Sequence, residues 1–125
     1  MRASGGADTA LKRFLSLWLP VVVYTAFIFW LSSAPREMPV ILRFPQGDKV
    51  VHLGEYAPLG ILLLRAFSIS QLPAAFATGA LIGGLDEMFQ GFVPSRHVSP
   101  WDFLADVAGV AIGLAIYRWK KAKTP

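Results

Sequence analysis

The sequence contains no cysteine, which excludes disulfides, thiol nucleophiles and thiolate metal centres. Charge is also scarce. Only 16% of the residues are Asp, Glu, Lys or Arg, against about 25% in a typical soluble domain. There is no Gly-rich phosphate loop, no nucleophile-elbow pentapeptide and no zinc-protease pair of histidines. Those absences remove the best-understood hydrolase chemistries. Internal repeats and low-complexity tracts are missing too. What the 125 residues do have is apolar content, 54% of the chain, with a mean hydropathy of +0.50. These values exclude a disordered chain and a coiled coil, and they point to a protein whose apolar surface is covered by lipid. The formal net charge is +4. The basic residues gather at the two ends beside apolar runs, as at a membrane boundary, so nucleic acid is not the expected partner.

A bilayer core of roughly 30 Å needs about 20 helical residues. Four stretches meet or approach that length: 14–32, 50–67, 72–92 and 101–119. The expected fold is therefore all-α, an integral membrane bundle of four transmembrane helices forming one domain over residues 1–125. Ser33, Pro35 and Pro39 close the first span, with Pro20 inside it. Asp48 reads as the N-cap of the second span, and Ser99-Pro100-Trp101-Asp102 as the capped start of the fourth. Ala75, Gly79 and Gly83, and again Ala105, Gly109 and Gly113, recur at four-residue spacing. Such stripes let helix backbones approach closely. Residues 1–34 also have the make-up of a signal peptide, with Ser32, Ser33 and Ala34 as its small-residue exit. Cleavage there would leave three spans.

Eight of the 12 basic residues flank the chain ends or the second-to-third turn, whereas Arg36, Arg43, Lys49 and Arg96 lie at the opposite face. The excess favours both termini on the cytoplasmic side of the membrane.

Six of the eight carboxylates, Asp48, Glu55, Asp86, Glu87, Asp102 and Asp106, sit at or inside span ends. Ionisable groups in spans are costly and mark functional sites by default. The polar residues lie near the start of span two, the finish of span three and the start of span four. Alternating spans run in opposite directions, so all three groups meet at one membrane face, the extracytoplasmic one by the charge count. Asp48, His52, Glu55 and Tyr56 form one helical stripe, Asp86 and Gln90 are four apart, and Asp102 and Asp106 are four apart. His52, Glu55, Asp86, Glu87 and Asp106 are the candidate catalytic groups, with His52 as general base and Glu87 or Asp86 as acid. Asp48, Lys49, Tyr56, Gln90, Arg96, Ser99 and Asp102 are the candidate binding residues, Lys49 and Arg96 offering positive charge to a phosphate. His97 reads as a solvated loop histidine. A divalent cation on His52, Glu55, Asp86 and Glu87 would suit Mg²⁺, Mn²⁺ or Zn²⁺. That spacing matches no established ligand motif, so the sequence assigns no metal and leaves any cofactor unknown.

The segments Asp48-Lys49-x-x-His52-x-x-Glu55-Tyr56-x-x-Leu59-Gly60 and Asp86-Glu87-x-x-Gln90-x-Phe92-x-Pro94-x-Arg96-x-x-Ser99-x-x-Asp102 resemble the two motifs of the VanZ-like membrane protein family. Asp106-x-x-Gly109-x-x-x-Gly113 resembles the end of the second. The resemblance covers about residues 14–118. The family usually has Asn in place of Asp106 and Gly in place of Ser95. The resemblance implies a small multi-spanning protein of the bacterial cell envelope, and a link to glycopeptide resistance, since the founding member is associated with low-level resistance to teicoplanin. It brings no agreed biochemical activity. Three readings follow from the polar face. One is an enzyme acting on a lipid-linked or cell-wall component. The second is a non-catalytic protein that binds membrane lipid, a lipid-linked precursor or a glycopeptide. The third is a proton- or ion-coupled transporter, for which four spans would require an oligomer.

Overall fold

The computed structural model describes residues 2–34, 40–44, 46–94 and 96–124. Ser95, Arg36 and the prolines at 35 and 39 lie outside the described residues. Four α-helices account for most of the chain: α1 (Arg2–Ser32), α2 (Gly47–Phe67), α3 (Leu72–Gln90) and α4 (Pro100–Lys123). Short 3₁₀ turns at Val40–Leu42 and Ile69–Gln71 precede α2 and α3. No strand occurs among the described residues.

The helices follow the expected spans, except that α1 and α2 start earlier, α3 stops at Gln90 rather than at 92, and α4 runs on past 119 to Lys123. α1 is 31 residues long and passes through Pro20 without interruption. It begins well before Phe14, because the polar segment ahead of the apolar run is helical as well. α2 begins at Gly47 with Gln46 in the cap position, and Asp48 falls inside its first turn. Asp48 is therefore not the cap. Its carboxylate accepts from Lys49 Nζ while its charge still faces the positive end of the helix dipole. Ser99 does cap α4, its Oγ accepting from the Asp102 amide at 3.4 Å, with Pro100 in the first turn.

The helices alternate in direction. Tyr24 on α1 meets Glu55 on α2, and Ser16 meets Arg65, so α1 and α2 are antiparallel. Lys49 meets Asp102, and Gly60 meets Val110 and Gly113, so α2 and α4 run parallel. Ser32 meets Gln90, which puts the ends of α1 and α3 together. The ends of α1 and α3 and the starts of α2 and α4 thus share one end of the bundle.

The core is built from Val21, Ile28, Leu59, Leu63, Leu64 and Val110 together with Ala75 and Leu114. α2 and α4 approach to backbone contact. A Cβ added at Gly113 would collide with the carbonyl oxygen of Ala57 and lie 2.9 Å from Gly60 Cα. At Gly109 it would lie 2.8 Å from the carbonyl oxygen of Leu53. These are the small-residue contacts by which helices pack where no hydrophobic force separates helix from lipid. Gly54, by contrast, has nothing within 4 Å of an added Cβ. Gly113→Ala is therefore expected to destabilise the bundle by about 1–3 kcal/mol. Gly54→Ala is expected to stabilise it by roughly 0.5–1 kcal/mol through helix propensity. Thermal unfolding of both variants in detergent checks the pair.

Much of the outer surface is apolar. Phe14, Leu19, Val22 and Trp30 on α1, Leu81 and Met88 on α3, and Leu104 and Ile112 on α4 are exposed. Among the described residues, three helices are long and apolar enough to cross a membrane: the segments Gly5–Ser32, Gly47–Phe67 and Pro100–Lys123. α3, 19 residues long, is not among them, because Asp86, Glu87 and Gln90 fall within its last turns. All three of those residues are buried.

Candidate functional site

The polar residues meet at the shared end of the bundle. His52 lies on the buried side of α2, one turn after Asp48 and Lys49. Its Nδ1 is 2.6 Å from Oδ1 of Asp106, a residue of α4 with no exposed surface. The other ring nitrogen, Nε2, is 3.7 Å from Oδ2 of Asp102. Glu87 approaches from α3, with Oε1 3.9 Å from His52 Nδ1. Three helices thus converge on one imidazole.

Helical geometry explains the placement. Asp102 and Asp106 are four residues apart and present both carboxylates to the same face of α4. Gly109 and Gly113 continue that face and bring α2 close enough for His52 to reach Asp106. Gly83 of α3 packs against the same carboxylate, where an added Cβ would sit 3.2 Å from Asp106 Cβ. The small-residue stripes and the polar stripe therefore work together. The glycines set the spacing between helices, and the carboxylates occupy the space so defined.

Asp86 and Glu87 are adjacent, point about 100° apart, and are both buried. They serve different neighbours. Asp86 Oδ2 accepts from the Tyr56 hydroxyl at 2.8 Å and from Gln90 Nε2 at 3.3 Å. Gln90 Nε2 also lies 3.2 Å from Ser32 Oγ, tying α3 to the end of α1. Glu87 Oε2 accepts a long 3.5 Å contact from the Ser99 amide. Asp86 Oδ1, Glu87 Oε1 and Asp106 Oδ2 are buried oxygens without a hydrogen-bond partner among the described residues. An ionised carboxylate that has lost water needs compensation, so those three atoms mark where the site has bonding capacity to spare.

Lys49 sits at the mouth. Its ammonium bridges Asp48 Oδ2 and Asp102 Oδ1. A cleft of about 520 Å³ opens beside it, lined by Gln46, Asp48, Lys49, Trp101 and Ala105. Because Asp102 touches both Lys49 and the His52 side of the cluster, this ion pair stands between the cleft and the imidazole.

The remaining candidates fall elsewhere. Glu55 is half-buried, and its backbone carbonyl receives the Tyr24 hydroxyl. Arg96 donates from Nη2 to the carbonyl of Leu31 at 3.0 Å and from Nε to that of Ala34 at 3.2 Å. It ties the loop before α4 to the C-terminal end of α1, where a guanidinium suits the helix dipole. His97 is exposed in that loop. Ser32 belongs to the buried network, although its size and position beside Ser33 and Ala34 give it the look of a cleavage site in the sequence. The signal that could have found it is the complementary amide of Gln90, which needs a polar partner at the same depth.

The metal-ligand arrangement differs from the set expected from sequence. Among the described residues, His52, Glu87 and Asp102 each offer one ligand atom within 4.8 Å of the others. Glu55 and Asp86 are not in this group. Asp86 turns instead toward Tyr56 and Gln90.

The family description VanZ/LLP1 matches residues 7–121. The chain belongs to the VanZ/LLP1 family. The match takes in all four helices and every residue of the cluster, so the polar end belongs to the VanZ/LLP1 domain itself. No curated protein and no solved structure matches the chain. Chemically, the cluster of this VanZ/LLP1 protein can orient an imidazole, pass a proton between His52 and a carboxylate, or hold a cation.

Proposed function

We propose that this VanZ/LLP1 protein is a four-span protein of the bacterial inner membrane, with both termini in the cytoplasm, whose polar end binds or acts on a lipid-linked or cell-wall component at the outer leaflet. The observation that carries the reading is the buried His52–Asp106 pair with Glu87 and Asp102 beside a lateral cleft. A ligand suited to that cleft is amphiphilic. Its headgroup meets Lys49 and Asp102, while its chain lies against exposed apolar residues such as Trp101 and Leu104.

Two features support the four-span arrangement. The polar residues of α3 face inward, and its outer face carries Phe76, Leu81, Leu85 and Met88. A span can carry carboxylates when they face the bundle interior. The orientation gains support as well, because Lys49 and Arg96, two of the basic residues at the proposed outer face, are engaged in ion-pair or capping contacts. The basic excess near Arg118, Lys120, Lys121 and Lys123 lies at the opposite end.

The family's link to teicoplanin fits this reading, since a glycopeptide acts on cell-wall precursors outside the membrane. The expected result is that protein purified from its membrane in mild detergent retains such an amphiphile, identified by mass spectrometry of the organic extract. Glu87→Gln or Asp102→Asn should reduce the retained amount. A wild-type extract identical to that of an unrelated membrane protein prepared in parallel would contradict the proposal.

A further inference from the structure

The carboxylates at the polar end outnumber the cations that face them. Asp86, Glu87, Asp102 and Asp106 are all buried, whereas Lys49 is shared between Asp48 and Asp102 and His52 is held by Asp106. That leaves Asp86, which is held by the neutral donors Tyr56 and Gln90, and Glu87, which has only the long Ser99 contact. Glu87 is 4% exposed, and its Oε1 has no hydrogen-bond partner among the described residues. That oxygen lies 3.9 Å from His52 Nδ1, and one ligand atom from each of His52, Glu87 and Asp102 falls within 4.8 Å of the others.

The orientation of His52 matters as much as its position. With Nδ1–H donated to the Asp106 carboxylate, the lone pair of Nε2 faces Asp102 Oδ2 at 3.7 Å. That is too long for a hydrogen bond. It is close to the roughly 3.4 Å that separates two ligand atoms on a tetrahedral ion with bonds of about 2.1 Å. A carboxylate behind the imidazole is also the arrangement that fixes a metal-binding histidine and raises its basicity.

We propose that His52, Glu87 and Asp102 hold one divalent metal ion, with Asp106 as the positioning residue behind His52. One imidazole nitrogen and two carboxylate oxygens suit Zn²⁺ or Mn²⁺ better than Mg²⁺. Three protein donors leave a coordination position for an oxygen of an incoming ligand. The ion also removes a difficulty of charge. A site dominated by carboxylates repels an anionic headgroup, and a bound dication reverses that. This last point rests on the functional reading above, whereas the metal site itself stands on the geometry.

The test uses the full chain in detergent, stripped with a chelator and titrated separately with Zn²⁺ alone and Mn²⁺ alone. Bound metal is read after dialysis by elemental analysis, and affinity by calorimetry. About one ion per chain is expected, with His52→Gln, Glu87→Gln and Asp102→Asn each weakening binding at least about 10-fold. Asp106→Asn should weaken it roughly 10–100-fold, as changes behind a metal-bound histidine do. His97→Gln, in the exposed loop, should bind as wild type does. The metal should raise the unfolding temperature of wild type and not that of Glu87→Gln, which separates a lost site from a lost fold. Failure of wild type to hold metal, equal binding by the three ligand variants, or loss of binding in His97→Gln would overturn the inference. Retention of an amphiphile by wild type that takes up neither metal in these titrations would leave the functional reading standing while the metal site falls.

Discussion

Asp106→Ala is expected to destabilise the bundle by about 3–5 kcal/mol, the cost of leaving a buried imidazole N–H unsatisfied together with a cavity. Asp106 has no exposed surface, and its Oδ1 lies 2.6 Å from His52 Nδ1. Alanine would leave the imidazole without an acceptor and open a void next to Gly83 and Tyr56. Asp106→Asn keeps an oxygen that can accept from Nδ1–H and removes one buried negative charge. It is expected to cost less than about 1.5 kcal/mol, the net worth of a typical hydrogen bond. Asn is also the residue usual at this position in the family. Thermal unfolding of the two variants beside wild type decides the matter. Equal losses from Ala and Asn would mean that the carboxylate charge, rather than an acceptor for His52, holds the helices together.

Glu87→Gln is the second large effect, and it falls on function. The substitution keeps the shape of the side chain and removes the charge from a buried oxygen that no hydrogen bond uses among the described residues. Little of the fold depends on that charge, since the one contact Glu87 accepts is a long bond from the Ser99 amide. The variant is therefore expected to accumulate in the membrane at the wild-type level on an immunoblot. If Glu87 serves the chemistry as acid, base or ligand, activity should fall about 10²–10⁴-fold. If the protein protects against glycopeptides, as the family resemblance implies, survival in teicoplanin of a sensitive Gram-positive host expressing either form reads the effect. Parallel loss of protein and protection would then assign Glu87 to folding instead.

The helices were legible in the sequence because lipid makes hydrophobicity continuous along a span and punctuation stands out against it. Ser33 and Ser99-Pro100 mark ends that the structure keeps. The N-terminal extension of α1 was not legible, since Gly5, Gly6 and Thr9 are weak helix formers and exposed. Asp48 looked like a cap by residue type, but helix starts are decided by backbone dihedrals, and α2 begins a residue earlier. The convergence of His52, Asp86, Glu87, Asp102 and Asp106 followed from alternating span direction and four-residue spacing alone. Which carboxylate meets which partner did not, because adjacent residues such as Asp86 and Glu87 diverge toward different helices. The sequence also offered no means of seeing that Asp102, rather than Glu55, completes the group around His52. That depends on how closely Gly109 and Gly113 let α4 approach α2. Arg96 read as an anion anchor by charge, whereas the structure places it on the last carbonyls of α1.

The central claim is that the polar end faces the outer leaflet, and single-cysteine labelling tests it most directly. The chain has no native cysteine, so His97→Cys reports the loop before α4 and Ser70→Cys the turn before α3, both at exposed positions. A membrane-impermeant thiol reagent is applied to intact cells, with any outer membrane permeabilised, and again after lysis. Labelling of His97→Cys but not Ser70→Cys in intact cells, with both labelled after lysis, is the predicted result. Labelling of Ser70→Cys alone in intact cells would invert the protein and contradict an outer-leaflet function.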